Sequence, residues 1–278
     1  MRHLERELTA SDCSRLFAQS WLPAETPGRA VVLAHGLAEH SGRYATFAER
    51  LNARGFAVHA LDHRGHGRSP GRRANIECFD TVVEDLAVLV SEAARQHPGV
   101  PLTLLGHSMG GAIALACALR HPEAMHSLVL SAPALAADPA VPGLQVWLVR
   151  LLSRWLPDVG ALRLPAEAIS RDPEVVQAYE ADPMVHRGAV PARTLAELFD
   201  AMAAFPATVG ALRLPVLVLH GTGDTLVALE HCRPVYERFG SPDSTVNVYG
   251  GLFHEVLNEP ERERVITDLL AWLDARPA

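Results

Sequence analysis

The chain of 278 residues has no lysine: its 25 Lys-plus-Arg positions are all arginine. That removes Schiff-base chemistry, an aldimine-held pyridoxal cofactor and a Ser-Lys dyad, each of which needs a lysine amine. Cysteine is scarce as well. Cys13, Cys78, Cys117 and Cys232 lie far apart without C-x-x-C spacing, so they read as free thiols rather than as disulfides or metal ligands. No apolar run is long enough to cross a bilayer, and Met1 to Leu8 carries charges where a signal peptide needs its apolar core, so a cytoplasmic chain is expected. A formal charge of −7, a pI near 6.0 and the lack of a basic stripe interleaved with aromatics exclude an electrostatic footprint for nucleic acid.

What is present is alternation. The length suits one large α/β domain, and nothing in the sequence divides it in two. Leu4 to Leu8 and Arg15 to Trp21, around Ser11-Asp12, predict a hairpin. Apolar β-type runs follow at Ala30–Ala34, Phe56–Leu61, Leu102–Leu105, Ser127–Leu130, Val216–Leu219 and Thr245–Tyr249. Helical stretches alternate with them at Tyr44–Ala53, Val82–Gln96, Met109–Arg120, Leu229–Phe239 and Arg262–Leu273. Such an order predicts a mostly parallel sheet covered by helices on both faces. Thr81-Val-Val-Glu84 reads as a capping box. Between Pro133 and Phe205 the alternation stops in favour of Pro-punctuated helix without a clear strand, which reads as an insertion packed over the sheet. Within it Leu144, Trp147, Leu148, Leu151, Leu152, Trp155 and Leu156 recur at helical spacing. They form either a face buried against the main domain or a lip facing lipid or substrate.

The chemistry centres on Gly106-His-Ser-Met-Gly110. It follows an apolar strand and opens an Ala/Leu-rich helix, the context in which G-x-S-x-G presents a nucleophilic serine on a sharp turn. Ser108 then needs a base to take its proton and a third group to hold that base. In a parallel sheet both should come from strand ends on the carboxyl edge, in the order nucleophile, acid, histidine. His220-Gly-Thr-Gly-Asp224 follows one strand and Gly250-Gly-Leu-Phe-His254-Glu255 the next. Asp224 and His254 are the expected acid and base; Asp224 as a mere turn residue and Glu255 as the acid are the competing readings. Backbone amides of Met109 and of Leu37, beside Gly36, are the expected oxyanion donors. His35 reads as a loop-stabilising residue. Asp62-His-Arg-Gly-His66 has letters that could suggest a metal, but its glycines point to a tight turn and no second ligand cluster has the right spacing, so no metal and no cofactor are expected.

These segments resemble the serine α/β-hydrolases, and among them the monoacylglycerol lipases. The resemblance is carried by His35-Gly-Leu-Ala-Glu-His-Ser-Gly-Arg-Tyr44, Leu61-Asp-His-Arg-Gly-His-Gly-Arg-Ser69, Gly106-His-Ser-Met-Gly-Gly111, His220-Gly-Thr-Gly-Asp224 and Phe253-His-Glu-Val-Leu-Asn-Glu-Pro260. It implies an α/β-hydrolase core over 1–135 and 206–278, with a helical cap over 136–205. It also implies Ser108, Asp224 and His254 as a catalytic triad, with Leu37 and Met109 as the oxyanion hole. The substrate implied is a small lipid ester, a monoacylglycerol, met through transient membrane or micelle contact of the cap. Glu39 and Arg43 match the segment beside the glycerol end of such pockets, where they either bind substrate or pair with each other. Lysophospholipids or broader carboxylic esters are the rival substrates, and a non-catalytic receptor on the same fold is the rival class. Epoxide hydrolases and haloalkane dehalogenases use a carboxylate where this chain has Ser108.

Overall fold

A computed structural model describes residues 1–276 of the chain. Strands β1 (Arg2–Thr9) and β2 (Arg15–Leu22) form the hairpin. They are followed by β3 (Arg29–Ala34), α1 (Ala45–Asn52), β4 (Phe56–Leu61), α2 (Phe79–Gln96), β5 (Leu102–His107), α3 (Met109–Arg120) and β6 (Ser127–Ser131). After a long excursion come β9 (Val216–Gly221), α7 (Leu229–Tyr236), β10 (Ser244–Tyr249) and α8 (Arg262–Asp274). The excursion holds α4 (Gly143–Trp155), β7 (Gly160–Leu162), α5 (Pro173–Ala181), β8 (Val190–Pro191) and α6 (Ala192–Thr208). Eight strands make one sheet in the order β1-β2-β4-β3-β5-β6-β9-β10. Within this sheet only the pairings of β2, with β1 and with β4, are antiparallel; β4, β3, β5, β6, β9 and β10 run parallel.

The sheet has two buried faces, and the sequence pattern follows from that. Along β3, Ala30, Val32 and Ala34 point into a core with α2, α3 and α7, while Val31 and Leu33 point into a second core with α1 and α8. Along β9, Val216 and Val218 face the first core, and Leu217 and Leu219 the second. A strand covered on both sides needs apolar residues at every position. Each such Val or Leu contributes about 1.5–3 kcal/mol on burial. At the edge, β10 alternates exposed and half-buried residues instead.

Three local expectations need correction. α2 begins at Phe79, before the Thr81-Glu84 box, and its cap comes from elsewhere: Glu197 of α6 accepts the Phe79 N–H at 2.7 Å, and Glu84 pairs with Arg120. The segment 133–205 contains two short strands, β7 and β8, paired antiparallel, and α6 runs on through Pro206 to Thr208. The α4 stripe is not a core face. Leu144, Trp147, Leu148, Leu151, Trp155 and Leu156 are all exposed, Trp155 at 73%, and only Leu152 of the seven is half-buried.

Candidate active site

At the end of β5 the chain turns into α3 within a single residue. Ser108 sits there at φ 53°, ψ −120°, a region that bulky L-residues avoid and that tightly packed surroundings must enforce. The glycines make that packing possible. A side chain at Gly106 would run into the Gly110 carbonyl and the Ala114 methyl, and one at Gly110 into the carbonyls of Ala34 and His35. With hydrogen in those places β5, α3 and the end of β3 come into contact, and the half-buried Ser108 is lifted above them.

The ends of β9 and β10 supply the other two residues. His254 Nδ1 lies 2.7 Å from Asp224 Oδ2, and both residues are buried. Asp224 Oδ1 accepts the backbone N–H groups of Leu226 and Val227, each at 2.9 Å, so the acid also organises its own turn. Burial pushes the Asp224 carboxyl up, but the His254 charge, hydrogen bonds from His220 and His254, and the Val227 amide together hold it below the usual carboxylate range. Burial likewise pulls His254 down, yet the charge and hydrogen bond of Asp224, helped by Glu255 and Glu39, leave it above an ordinary histidine. Ser108 and His254 line one cavity without a hydrogen bond between them; His254 Nε2 has no partner among the described residues.

The loop after β3 lies against Ser108: a Cβ on Gly36 would stand 3.3 Å from the serine Cβ. Among the described residues neither the Leu37 nor the Met109 N–H has an intramolecular acceptor, and both residues line the Ser108 cavity. His35 donates or accepts at both ring nitrogens, with the Gly36 carbonyl and the His63 N–H, as a loop-holding residue does. Asp62 takes the Ser41 amide and hydroxyl and the Arg68 amide, which closes the 62–69 turn through its own backbone.

Glu39 and Arg43 are joined at 2.6 Å, but they do not form an isolated pair. Arg43 also binds Glu255 through two hydrogen bonds of 2.7 and 2.8 Å. Glu255, the competing acid of the sequence reading, therefore directs its carboxylate to Arg43 and not to His254. Glu39 and Glu255 line the cavity. Three further residues escaped the sequence reading. His220 Nε2 approaches Asp224 Oδ2 at 3.3 Å, the His107 ring packs 4.8 Å from that of His254, and Tyr179 of α5 lies under the Arg43 guanidinium at 4.8 Å. His220, four residues before Asp224 at a strand end, carried a signal; Tyr179, on a helix of the excursion, carried none.

The cavity measures about 240 Å³. Ser108, His107, His254, Glu39, Glu255, Tyr179 and Asp138 are its polar lining; much of the rest is apolar, including Leu164, Leu195, Leu198, Phe199 and Met202. A larger surface groove of about 770 Å³ between α2, α3 and α6 touches none of these catalytic-type side chains, so size does not locate the chemistry here.

Comparison with known proteins gives the family. Residues 25–261 match the family described as serine aminopeptidase, S33. The monoacylglycerol lipase of Mycolicibacterium smegmatis is 44% identical over 259 residues, covering 93% of this chain and 92% of that protein. The monoglyceride lipase of Rattus norvegicus is 32% identical over 274 residues, 98% of this chain and 90% of that one. The crystal structure of Paleococcus ferrophilus monoacylglycerol lipase matches with a TM-score of 0.83 at 33% identity, over 93% of this chain and 98% of that chain.

Proposed function

The chain belongs to the serine aminopeptidase, S33 family of α/β-hydrolases, and from that premise we propose that it is a carboxylic ester hydrolase that cleaves monoacylglycerols to glycerol and fatty acid. The observation that carries the reading is the buried Asp224–His254 pair and a positive-φ Ser108, with Ser108 and His254 lining one cavity whose walls include many apolar side chains. His254 takes the Ser108 proton as the hydroxyl attacks the ester carbonyl, and Asp224 orients the ring and stabilises its cation. The N–H groups of Leu37 and Met109 receive the developing oxyanion. His254 then protonates the leaving glycerol oxygen, and a water that it activates releases the acid from Ser108.

The lining also discriminates among head groups. Glu39, Glu255 and Asp138 line the cavity while Arg43, which pairs with the first two, does not, a balance that favours uncharged glycerol over the phosphate of a lysophospholipid. The acyl chain lies along the apolar remainder. Residues 136–205 form the helical cap over it, supplying Leu164, Leu195 and Phe199. The exposed face of α4 is the part of that cap which meets a membrane or micelle surface, with Trp147 and Trp155 seated at the interface. No helix among the described residues is long and apolar enough to cross a membrane.

A fluorophosphonate probe tests the reading. It should label the folded protein at Ser108 and fail on Ser108→Ala. Ser108→Ala and His254→Ala should each lose kcat by several orders of magnitude, up to about 10⁶-fold, with the fold intact. A substrate panel should rank monoacylglycerols above lysophospholipids and aminoacyl p-nitroanilides; preferred cleavage of the anilides would make the enzyme a peptidase.

A further inference from the structure

A chain of buried polar contacts links two loops that the proposed reaction must hold at a fixed separation. It starts at the backbone N–H of Gly36, which donates to Glu39 Oε1 at 2.6 Å, an oxygen that also accepts the Tyr44 hydroxyl at 2.7 Å. The other oxygen of Glu39 binds Arg43, and Arg43 grips both oxygens of Glu255. Glu255 follows His254 directly. Its Oε2 also accepts Asn258 at 2.7 Å, and its backbone N–H reaches the Ile169 carbonyl at 2.8 Å. The side chains of Glu39, Arg43 and Glu255 are 4, 11 and 6% exposed, so solvent screens these charges little.

We infer that Glu255 is a positioning residue, which through Arg43 and Glu39 sets the distance between the loop bearing the Leu37 amide and the loop bearing His254. This rests on the proposed serine-hydrolase reading. The geometry favours a strut over a simple salt bridge. A bidentate guanidinium–carboxylate pair fixes orientation as well as distance, and Tyr179 stacked beneath Arg43 limits its rotation. One end of the strut is the amide next to the oxyanion donor, and the other is covalently next to the base. A misplacement of 1 Å between reacting groups can cost about 100-fold in rate. Glu255 has an electrostatic consequence too. The charged and titratable groups around His254 are Asp224, with His220 behind it, together with Glu39, Arg43, His107 and Glu255. Removing the Glu255 charge withdraws part of what favours the imidazolium.

The test is Glu255→Gln, which keeps the side-chain size and leaves Arg43 paired with Glu39. Expected are a kcat at least about 10-fold lower, KM within about 2-fold, and an acid limb of the kcat/KM profile displaced to lower pH. Arg43→Met and the double variant Arg43→Met/Glu255→Gln complete a cycle. If Glu255 acts through Arg43, the double variant should lose no more kcat than Arg43→Met alone. Glu39→Gln, at the far end, should show the same loss of kcat at near-constant KM. Wild-type kcat and pH profile in Glu255→Gln, or fully additive losses in the cycle, would overturn the inference. Ser108→Ala separates the two levels. An active Ser108→Ala protein defeats the serine-hydrolase reading itself, whereas an inactive one alongside a fully active Glu255→Gln defeats the strut alone.

Discussion

Asp224 serves two histidines with one oxygen. The Val227 carbonyl, 2.7 Å from His220 Nε2, requires a proton on that nitrogen, and the Tyr236 hydroxyl then donates to Nδ1 at 2.8 Å. His220 thus supports Asp224 from behind while His254 approaches from the cavity side. Replacing Asp224 with Asn leaves a neutral group that holds His254 in the wrong tautomer, and kcat should fall by about 10⁴-fold. The pH profile gives an independent check. His254 must be neutral to act as a base, and its folded value lies above the ordinary 6.5 because of Asp224, Glu255 and Glu39. Activity in the wild type should therefore decline as pH falls through a midpoint above about 6.5, and that midpoint should drop in Asp224→Asn. A midpoint unmoved by the substitution would separate the acid limb from the Asp224–His254 pair. The placement of Ser108, Asp224 and His254 at strand ends on one sheet edge was legible in the sequence because each follows an apolar strand. The partnership of Arg43 with Glu255 was not. The two are 212 positions apart, and nothing local to either distinguishes a buried bidentate pair from two solvated charges.

Among the elements, α4 departs furthest from what periodicity suggests. Its apolar residues recur at helical spacing, as a core-facing helix requires, but the stripe faces outward. Spacing identifies a one-sided helix without saying what lies on that side. Substituting Ser at Trp147, Leu151 and Trp155 should leave the melting temperature nearly unchanged, because all three are already exposed. The same variant should bind vesicles of neutral lipid less well and show a KM for long-chain monoacylglycerols raised several-fold, at roughly 0.8 kcal/mol per methylene no longer buried. A short soluble ester should be hydrolysed as before. A marked loss of melting temperature would instead show that the stripe packs within the protein. The start of α2 fails as a sequence reading for a related reason. The cap that satisfies it is Glu197, 118 residues away, while the local Thr81-Glu84 pattern lies inside the helix.

For the molecule as a whole, the histidines set the response to acid. Burial holds His35 and His63 well below the ordinary value, with neighbouring histidines adding to the effect, and brings His66 and His107 to about 4 and His59 to about 3. Each is neutral when folded and takes a proton near pH 6.5 when unfolded. As pH falls below about 6.5 the unfolded chain binds protons that the native state refuses, so stability is lost until the folded values are reached. His254, shifted the other way, offsets only its own part. Denaturant titrations between pH 7.5 and 5 should show a loss on the order of several kcal/mol, and His66→Gln should flatten that slope. A flat dependence in the wild type would mean that these rings are hydrated.

The helix α6 reaches back to the segment before α2 through three residues, one of them Arg193, which donates to the Glu77 carbonyl at 2.7 Å. Thr194 accepts the Ile76 N–H at 2.8 Å and donates to the Ala74 carbonyl at 2.7 Å, and Glu197 accepts the Phe79 N–H. Those donors precede and open α2, whose inner face belongs to the main core. For anyone wishing to exchange acyl preference between relatives by grafting, this sets the place to cut. A transplant limited to the stretch around α4 leaves the start of α2 satisfied, whereas one that replaces α6 as well must bring its own partners for Ile76 and Phe79 or deliver a recipient that does not fold.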